Sequence, residues 1–292
     1  MPEKIPQDGY LMIIGAMKCG TSSLYDYLQG HPQICPAITK EPEYFSSNQR
    51  HGLSLSDYSQ LWEFDPGIHR FAMEASTGYS KFPEENGVPQ RIHGHGIRPR
   101  FVYMVRNPFD RIVSHYNYML RDVEFRARIV DDHLINTSNY YLQLSQYRHL
   151  FPARDFLIVD FEELTSAPAL VVRRVCDFLG IDETYRPPTF EVRNQTRVQS
   201  LLERALKRSS LGRLSRHVPP TLRQRIQKLL ASMSPRRPRL LSPSERAHVL
   251  EQLQPDMQKF EQEYGFDIRR WGFESAISND ARAEGRGATV QP

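Results

Sequence analysis

Apolar positions in this chain fall into short runs separated by amphipathic stretches, so strands and helices are expected in turn. Tyr10 to Ile14 is an unbroken run of strand length, which predicts a strand buried on both faces. After it, Thr21, Ser22 and Ser23 open a stretch in which Leu24, Tyr25 and Leu28 share one helical side. Gln33 to Cys35 reads as a short extended segment and Lys40 to Ser47 as a turn. A helix is expected over Ser54–Trp62, a strand over Phe71–Glu74 and a short helix after Pro89. Arg100 to Val105 is the clearest strand, β-branched and aromatic, and Asn107-Pro108 stops it. A helix then runs from Pro108 to about Val123, with Asn107 as cap and Asp110 in its first turn. Ser138–Leu150 predicts another helix and Asp155–Asp160 another buried strand. A helix from about Ala167 to Leu179 closes at Gly180. The last helix spans Pro243 to Tyr264 before Gly265, and Trp271 is expected to pack it onto the body. The order predicts an α/β fold: a parallel sheet with helices on both faces and a helical C-terminal region.

Composition narrows the class without naming a function. At 292 residues, 39% hydrophobic and 25% charged, the chain has the make-up of a globular protein. It is read as a single domain over residues 1–277, followed by a small, polar, disordered tail at 278–292. No run reaches the length of a membrane helix, and the first residues lack the apolar core of a signal peptide. Cys19, Cys35 and Cys176 are sparse and without metal-ligand spacing, so a cytoplasmic location is expected. The net charge of +4 hides an asymmetry: Arg193 to Arg239 carries thirteen Lys or Arg against Glu203 alone. Such a block suits either an anionic partner or a merely solvated helical segment.

The segment Gly15-Ala-Met-Lys-Cys-Gly20 joins the first strand to the first helix. Backbone N–H groups and the positive end of the helix dipole converge there, which makes an anion site. Its spacing is the Walker G-x-x-x-x-G, and it gives the fold its P-loop-type character. Thr21 follows the second glycine where an NTPase carries lysine, and the lysine stands inside the loop as Lys18. Lys18 would flank the phosphate, with Thr21, Ser22 and Ser23 donating to its oxygens. This suits a group less charged than a triphosphate and needing no metal.

A second anion motif is Arg106-Asn-Pro-Phe-Asp-Arg-Ile-Val-Ser114-His-Tyr116. Arg106 leaves a strand at its carboxyl end, where open α/β sheets place ligands, and Ser114 lies two helical turns on. Together they can grip one phosphate by charge-assisted hydrogen bonds. The loop pattern K-x-G-T-[ST]-x-L and the pattern R-[ND]-P-x-x-R-x-x-S-x-Y, in this order, resemble the donor motifs of sulfotransferases that use 3′-phosphoadenosine 5′-phosphosulfate (PAPS). The likeness is to the heparan sulfate and bacterial carbohydrate-type branch, and it covers roughly Tyr10 to Gly180. It implies that Lys18, Cys19, Gly20, Thr21, Ser22 and Ser23 hold the 5′-phosphosulfate. Arg106 and Ser114 would hold the 3′-phosphate, with Arg193 or Arg197 as a further nucleotide contact.

The resemblance also implies a catalytic pair. Thr39-Lys-Glu-Pro-Glu-Tyr-Phe45 resembles the family's K-E-x-x-[FY]-F segment, which makes Glu41 the general base and Lys18 the cation balancing charge on the leaving phosphate. Glu43 competes with Glu41, and Glu74 is a third carboxylate at a strand end. Lys40 is a second cation, while Tyr44 and Phe45 are expected to wall the acceptor slot. Two departures bear on the acceptor: Ala75 stands where glycan enzymes commonly carry lysine, and Glu43 where they often carry histidine. The expected reaction is in-line sulfuryl transfer to a hydroxyl or amine, on a carbohydrate or small metabolite, an acidic one included. No nucleic acid partner is expected. His93 and His95 lack a third ligand, so no metal is expected. Cys19 sits where a helix N-terminus lowers a thiol's pKa, yet no base lies near it in sequence. Two other readings compete. One is a P-loop kinase or NTPase, with Leu157-Ile-Val-Asp160 as its Walker B strand. The other is a non-catalytic nucleotide- or polyanion-binding protein using the basic block.

Overall fold

The computed structural model describes residues 5–49, 52, 54, 56–120, 127–190 and 238–277. Five parallel strands form one sheet: β1 (Tyr10–Gly15), β2 (Ile34–Pro36), β3 (Phe71–Ala75), β4 (Arg100–Val105) and β5 (Phe156–Asp160), in the order β2-β3-β1-β4-β5. Every residue of β1 is buried, as its continuous apolar run requires of a central parallel strand. From β1 the chain goes to one side of the sheet for β2 and β3, then crosses to the other for β4 and β5. The crevice of this reversal lies at the carboxyl ends of β1 and β4, where such sheets take their ligands.

The helices flank this sheet. Helix α1 (Thr21–Leu28) packs near α7 (Pro168–Leu179) and β3, with α6 (Phe161–Ser166) beside α7. Helix α2 (Val88–Gly94) leads into β4. Helices α3 (Pro108–Met119), α4 (Asp132–Asn136), α5 (Tyr140–Arg148) and α8 (Pro243–Tyr264) form a second group. Helix ends follow their caps. Asn107 accepts from Phe109 N (3.1 Å), and Ser242 with Glu245 makes a reciprocal capping box for α8. Gly180 and Gly265 close α7 and α8 in the left-handed conformation that glycine adopts without a Cβ penalty. Trp271 is buried, with its ring 4.6 Å from Phe266 and 6.0 Å from Tyr140.

Several boundaries differ from the sequence reading. Only Tyr58–Leu61 of the expected Ser54–Trp62 helix is helical, as a single 3₁₀ turn. Its aromatic residues are held by ring contacts instead: Tyr58 stacks on Tyr10 (5.5 Å) and meets Trp62 edge-on (4.8 Å). Helix α3 ends at Met119 and α5 covers Tyr140–Arg148 only. The short helices α4 and α6 were not anticipated. Each starts at an aspartate cap, Asp131 accepting from His133 N and Asp160 from Glu162 N. Most of the basic block at 193–239, and the tail at 278–292, lie outside the described residues. Among the described residues no helix is long and apolar enough to cross a membrane.

Candidate active site

The glycine loop leaves β1 at the crevice and is tied to its neighbours. Ala16 N donates to Met104 O of β4 (2.8 Å), and Cys19 N donates back to Ala16 O (3.1 Å). Gly20 caps α1 at φ 88°, and a Cβ there would lie 2.9 Å from the Phe161 ring. A side chain is therefore excluded both by the left-handed backbone and by the packing of α6 against the loop. Ser23 N and Leu24 N both donate to Gly20 O, which leaves the N–H groups of Thr21 and Ser22 at the open end of the helix. Thr21 and Ser23 are buried while Lys18 and Ser22 are half-buried. Burial raises the Tyr27 phenol, and a hydrogen bond with the Ser23 hydroxyl opposes that shift.

Lys18 stands at φ 73°, and its ammonium lies 4.6 Å from the centre of the Tyr118 ring. The expectation for Cys19 is corrected in one respect. Its thiol points into the core beside the Tyr140 hydroxyl (3.9 Å), and burial pushes it up to about 11. Desolvation of the thiolate outweighs the helix terminus and the nearby arginines, so the side chain supplies no reactive thiolate.

The second motif meets the first across the crevice. Arg106 donates through Nη1 to Lys18 O (3.4 Å), and its guanidinium lies 4.4 Å from the Phe161 ring centre. Its backbone is held at both ends by Tyr140, whose hydroxyl donates to Arg106 O (2.6 Å) and accepts from Arg106 N (3.2 Å). Ser114 is half-buried on α3. Arg193 and Arg197 lie outside the described residues.

Arg111 carries more than the sequence reading gave it. It is fully buried, and donates to Ser138 Oγ (2.6 Å), to Leu134 O and to Met17 O of the loop (3.3 Å). Its Nη1 also lies 3.1 Å from His115 Nδ1. One guanidinium thus links the glycine loop to α3, α4 and Ser138 in the turn before α5. Burial, and then the Arg111 charge, hold His115 far below the usual imidazole range, so it stays neutral beside that guanidinium. The sequence signal for Arg111 was its place in the motif, three residues before Ser114.

The segment after β2 comes to the same edge of the sheet. Lys40 pairs with Asp26 of α1 (3.8 Å). Glu43 N donates to Ser76 Oγ (3.0 Å), and Glu43 Oε1 accepts from Gly78 N (2.9 Å), both just beyond β3. A Cβ at Gly78 would lie 2.0 Å from the Glu43 carboxylate, so only glycine admits this contact. Glu41 is half-buried at φ 53° and Glu43 is buried at φ 52°. Among the described residues, Lys18, Glu41 and Glu43 are the non-glycine residues with positive φ. That conformation costs about 1–2 kcal/mol per residue, and its concentration here marks backbone held for a purpose other than stability. Tyr44 and Phe45 do not wall an open slot. Both are fully buried, 4.6 and 4.7 Å from the Tyr58 ring.

Glu74 is also buried, at the end of β3. Ser76 Oγ donates to its Oε2 (2.6 Å), while the hydroxyls of Tyr79 (3.0 Å) and Tyr58 donate to its Oε1. Burial pushes its carboxyl up to about 7, with the three hydroxyls acting against the shift. Asp160, the residue on which a Walker B reading depends, lies on the edge strand β5. It pairs with Arg270 (2.8 Å) and caps α6.

A parallel sheet whose central strand runs into a glycine loop, with a basic motif across the switch point, is the arrangement in which open α/β sheets take phosphate-bearing ligands. The particular family follows from comparison. Residues 8–216 match the sulfotransferase domain, and the chain belongs to that family. Mouse heparan sulfate glucosamine 3-O-sulfotransferase 6 is 30% identical over 236 residues, covering 74% of this chain and 67% of that protein. Mouse heparan sulfate glucosamine 3-O-sulfotransferase 3A1 is 29% identical over 250 residues, covering 78% of this chain and 60% of that protein. A sulfotransferase crystal structure from Alicyclobacillus acidocaldarius shares the fold with a TM-score of 0.62 at 22% identity, covering 92% of this chain and all (100%) of that one. The kinase reading is not favoured.

Proposed function

We propose that this sulfotransferase takes its sulfuryl group from PAPS and passes it to a hydroxyl or amine of a carbohydrate or small metabolite. The observation that carries the reading is the meeting of the two motifs at the switch point, where Arg106 reaches Lys18 O. In this reading Lys18, Gly20, Thr21, Ser22 and Ser23 hold the 5′-phosphosulfate, with the thiol of Cys19 taking no part. Arg106 and Ser114 hold the 3′-phosphate.

Glu41 takes the acceptor's proton as the oxygen or nitrogen attacks sulfur in line with the departing phosphate. Lys18 meets the charge that grows on that phosphate as the S–O bond breaks. Glu43 and Glu74 are buried while Glu41 is half-buried, which favours Glu41 as the carboxylate of the three that an acceptor can reach. The curated relatives are named for glucosamine in heparan sulfate, which supports a carbohydrate acceptor. Ala75 and Glu43, standing where glycan enzymes commonly carry lysine and often histidine, weigh against a heparan-like acceptor.

The test is transfer from sulfur-labelled PAPS to a panel of glucosamine-bearing saccharides, neutral sugars, phenols and amines. Label appearing in one class, and lost in Glu41→Gln, supports the reading. Equal transfer by Glu41→Gln contradicts the assignment of the base.

A further inference from the structure

Two chains of hydrogen bonds run from the segment that bears Glu41 to one carboxylate. Glu43 N donates to Ser76 Oγ (3.0 Å), and Ser76 Oγ donates to Glu74 Oε2 (2.6 Å). Phe45 N donates to Tyr79 Oη (3.1 Å), and Tyr79 Oη donates to Glu74 Oε1 (3.0 Å). A third hydroxyl, from Tyr58, donates to the same carboxylate, and its ring packs on Tyr44 and Phe45. All of these groups are buried, so each bond is made in a medium where an unsatisfied partner is costly. The hydroxyls of Ser76 and Tyr79 each accept from a backbone N–H and donate to Glu74, so a single acceptor orients both. Ser76 N donates in turn to Ile13 O of β1 (3.2 Å), so the cluster is anchored to the strand that carries the glycine loop.

We propose that Glu74 is a positioning residue for sulfuryl transfer: through Ser76 and Tyr79 it fixes the backbone at Glu43 and Phe45, and so holds Glu41 toward the loop of β1. The inference rests on Glu41 being the base. Glu74 is itself walled in by three hydroxyls and acts on the reaction only through the segment it grips. The left-handed backbone at Glu41 and Glu43 is the conformation this grip sustains. Lys40, the residue before Glu41, pairs with Asp26 of α1 (3.8 Å).

A double-mutant cycle of Glu74→Gln with Glu41→Gln tests this. Turnover is followed as loss of label from PAPS, with the best acceptor of the panel and with water alone. Affinity for 3′-phosphoadenosine 5′-phosphate (PAP) reports the integrity of the donor site. Glu74→Gln is expected to lower kcat about 10- to 100-fold, the scale of a displaced catalytic group, with PAP affinity and the KM for PAPS within about twofold. In the Glu41→Gln background the same change should cost less than about twofold, because a misplaced base that is already absent cannot be missed again. An equal loss in both backgrounds, or no loss in either, overturns the positioning role. Glu41→Gln at the wild-type rate overturns instead the assignment of the base on which it rests. Should Glu74→Gln fail to fold, Tyr79→Phe removes one of the two chains alone, and the same non-additivity with Glu41→Gln is expected at a smaller size.

Discussion

The guanidinium of Arg106 donates to the backbone carbonyl of Lys18 across the crevice between β4 and β1, at 3.4 Å. Two motifs far apart in sequence therefore meet at one point, and the loop lysine is held by the arginine assigned to the far phosphate. If that assignment is right, Arg106→Ala should weaken PAP by about 2–3 kcal/mol, the scale of a charged hydrogen bond. Adenosine 5′-phosphosulfate, which lacks the 3′-phosphate, should bind almost unchanged. Calorimetric titration of both nucleotides reads the difference, and equal losses would make Arg106 a loop-holding residue only.

Lys18 is the loop's one cation by sequence, and its ammonium rests against the exposed Tyr118 ring. A positive group beside the leaving phosphate matters most when charge has developed there. Lys18→Ala should therefore lower kcat by more than it weakens PAP. Steady-state rates set beside PAP affinities decide this, and an unchanged kcat would remove Lys18 from the chemistry.

The two glutamates of the Thr39–Phe45 segment should separate cleanly. Glu41→Gln keeps shape and removes basicity, so kcat is expected to fall roughly 10²- to 10⁴-fold, the range of general-base catalysis. Glu43 is buried with its carboxylate on Gly78 N. Glu43→Gln should act on stability, by about 1–3 kcal/mol in a denaturant melt, with a far smaller effect on kcat. Reversed effects would shift the alignment by two residues.

Glu74 ties stability to pH. Its carboxyl is pushed from an ordinary 4.5 up to about 7 in the folded chain by burial. The native state therefore holds a proton that the unfolded chain has released between those two values. Its contribution to stability is full below pH 4.5 and falls as pH rises toward 7. Melting wild type and Glu74→Gln across this range should show the wild type losing ground to the variant as pH increases. A constant gap would mean that the three hydroxyls keep the carboxylate charged throughout.

The sheet was legible because a central parallel strand has little freedom: β1 is apolar without a break and β4 from Phe101 to Val105, and Gly20 and Asn107 mark where each hands over to a helix. The ends of α8 were legible for a similar reason, since Ser242 with Glu245 and then Gly265 are local signals. The Ser54–Trp62 segment holds only one 3₁₀ turn where a helix is expected, because its aromatic spacing serves ring packing on Tyr10 and not a helical face. In the site, the donor motifs could be read as patterns. The grip of Arg111 on Met17 O, the hold of Tyr140 on Arg106 and the three hydroxyls around Glu74 could not. Those contacts join residues brought together only by the fold, and nothing in the local spacing announces them. Tyr44 and Phe45 illustrate the same gap, since aromatic residues of a core and of a ligand wall look alike in sequence.

The central claim is that the crevice between β1 and β4 is a PAPS site, and titration of the protein with PAP and with ATP tests it most directly. Each nucleotide is titrated with EDTA and again with Mg²⁺. The two motifs imply one saturable PAP site per chain that does not need Mg²⁺, with ATP binding much more weakly under either condition. Tight Mg²⁺-dependent ATP binding with no affinity for PAP would contradict the claim and restore the nucleotide triphosphatase reading.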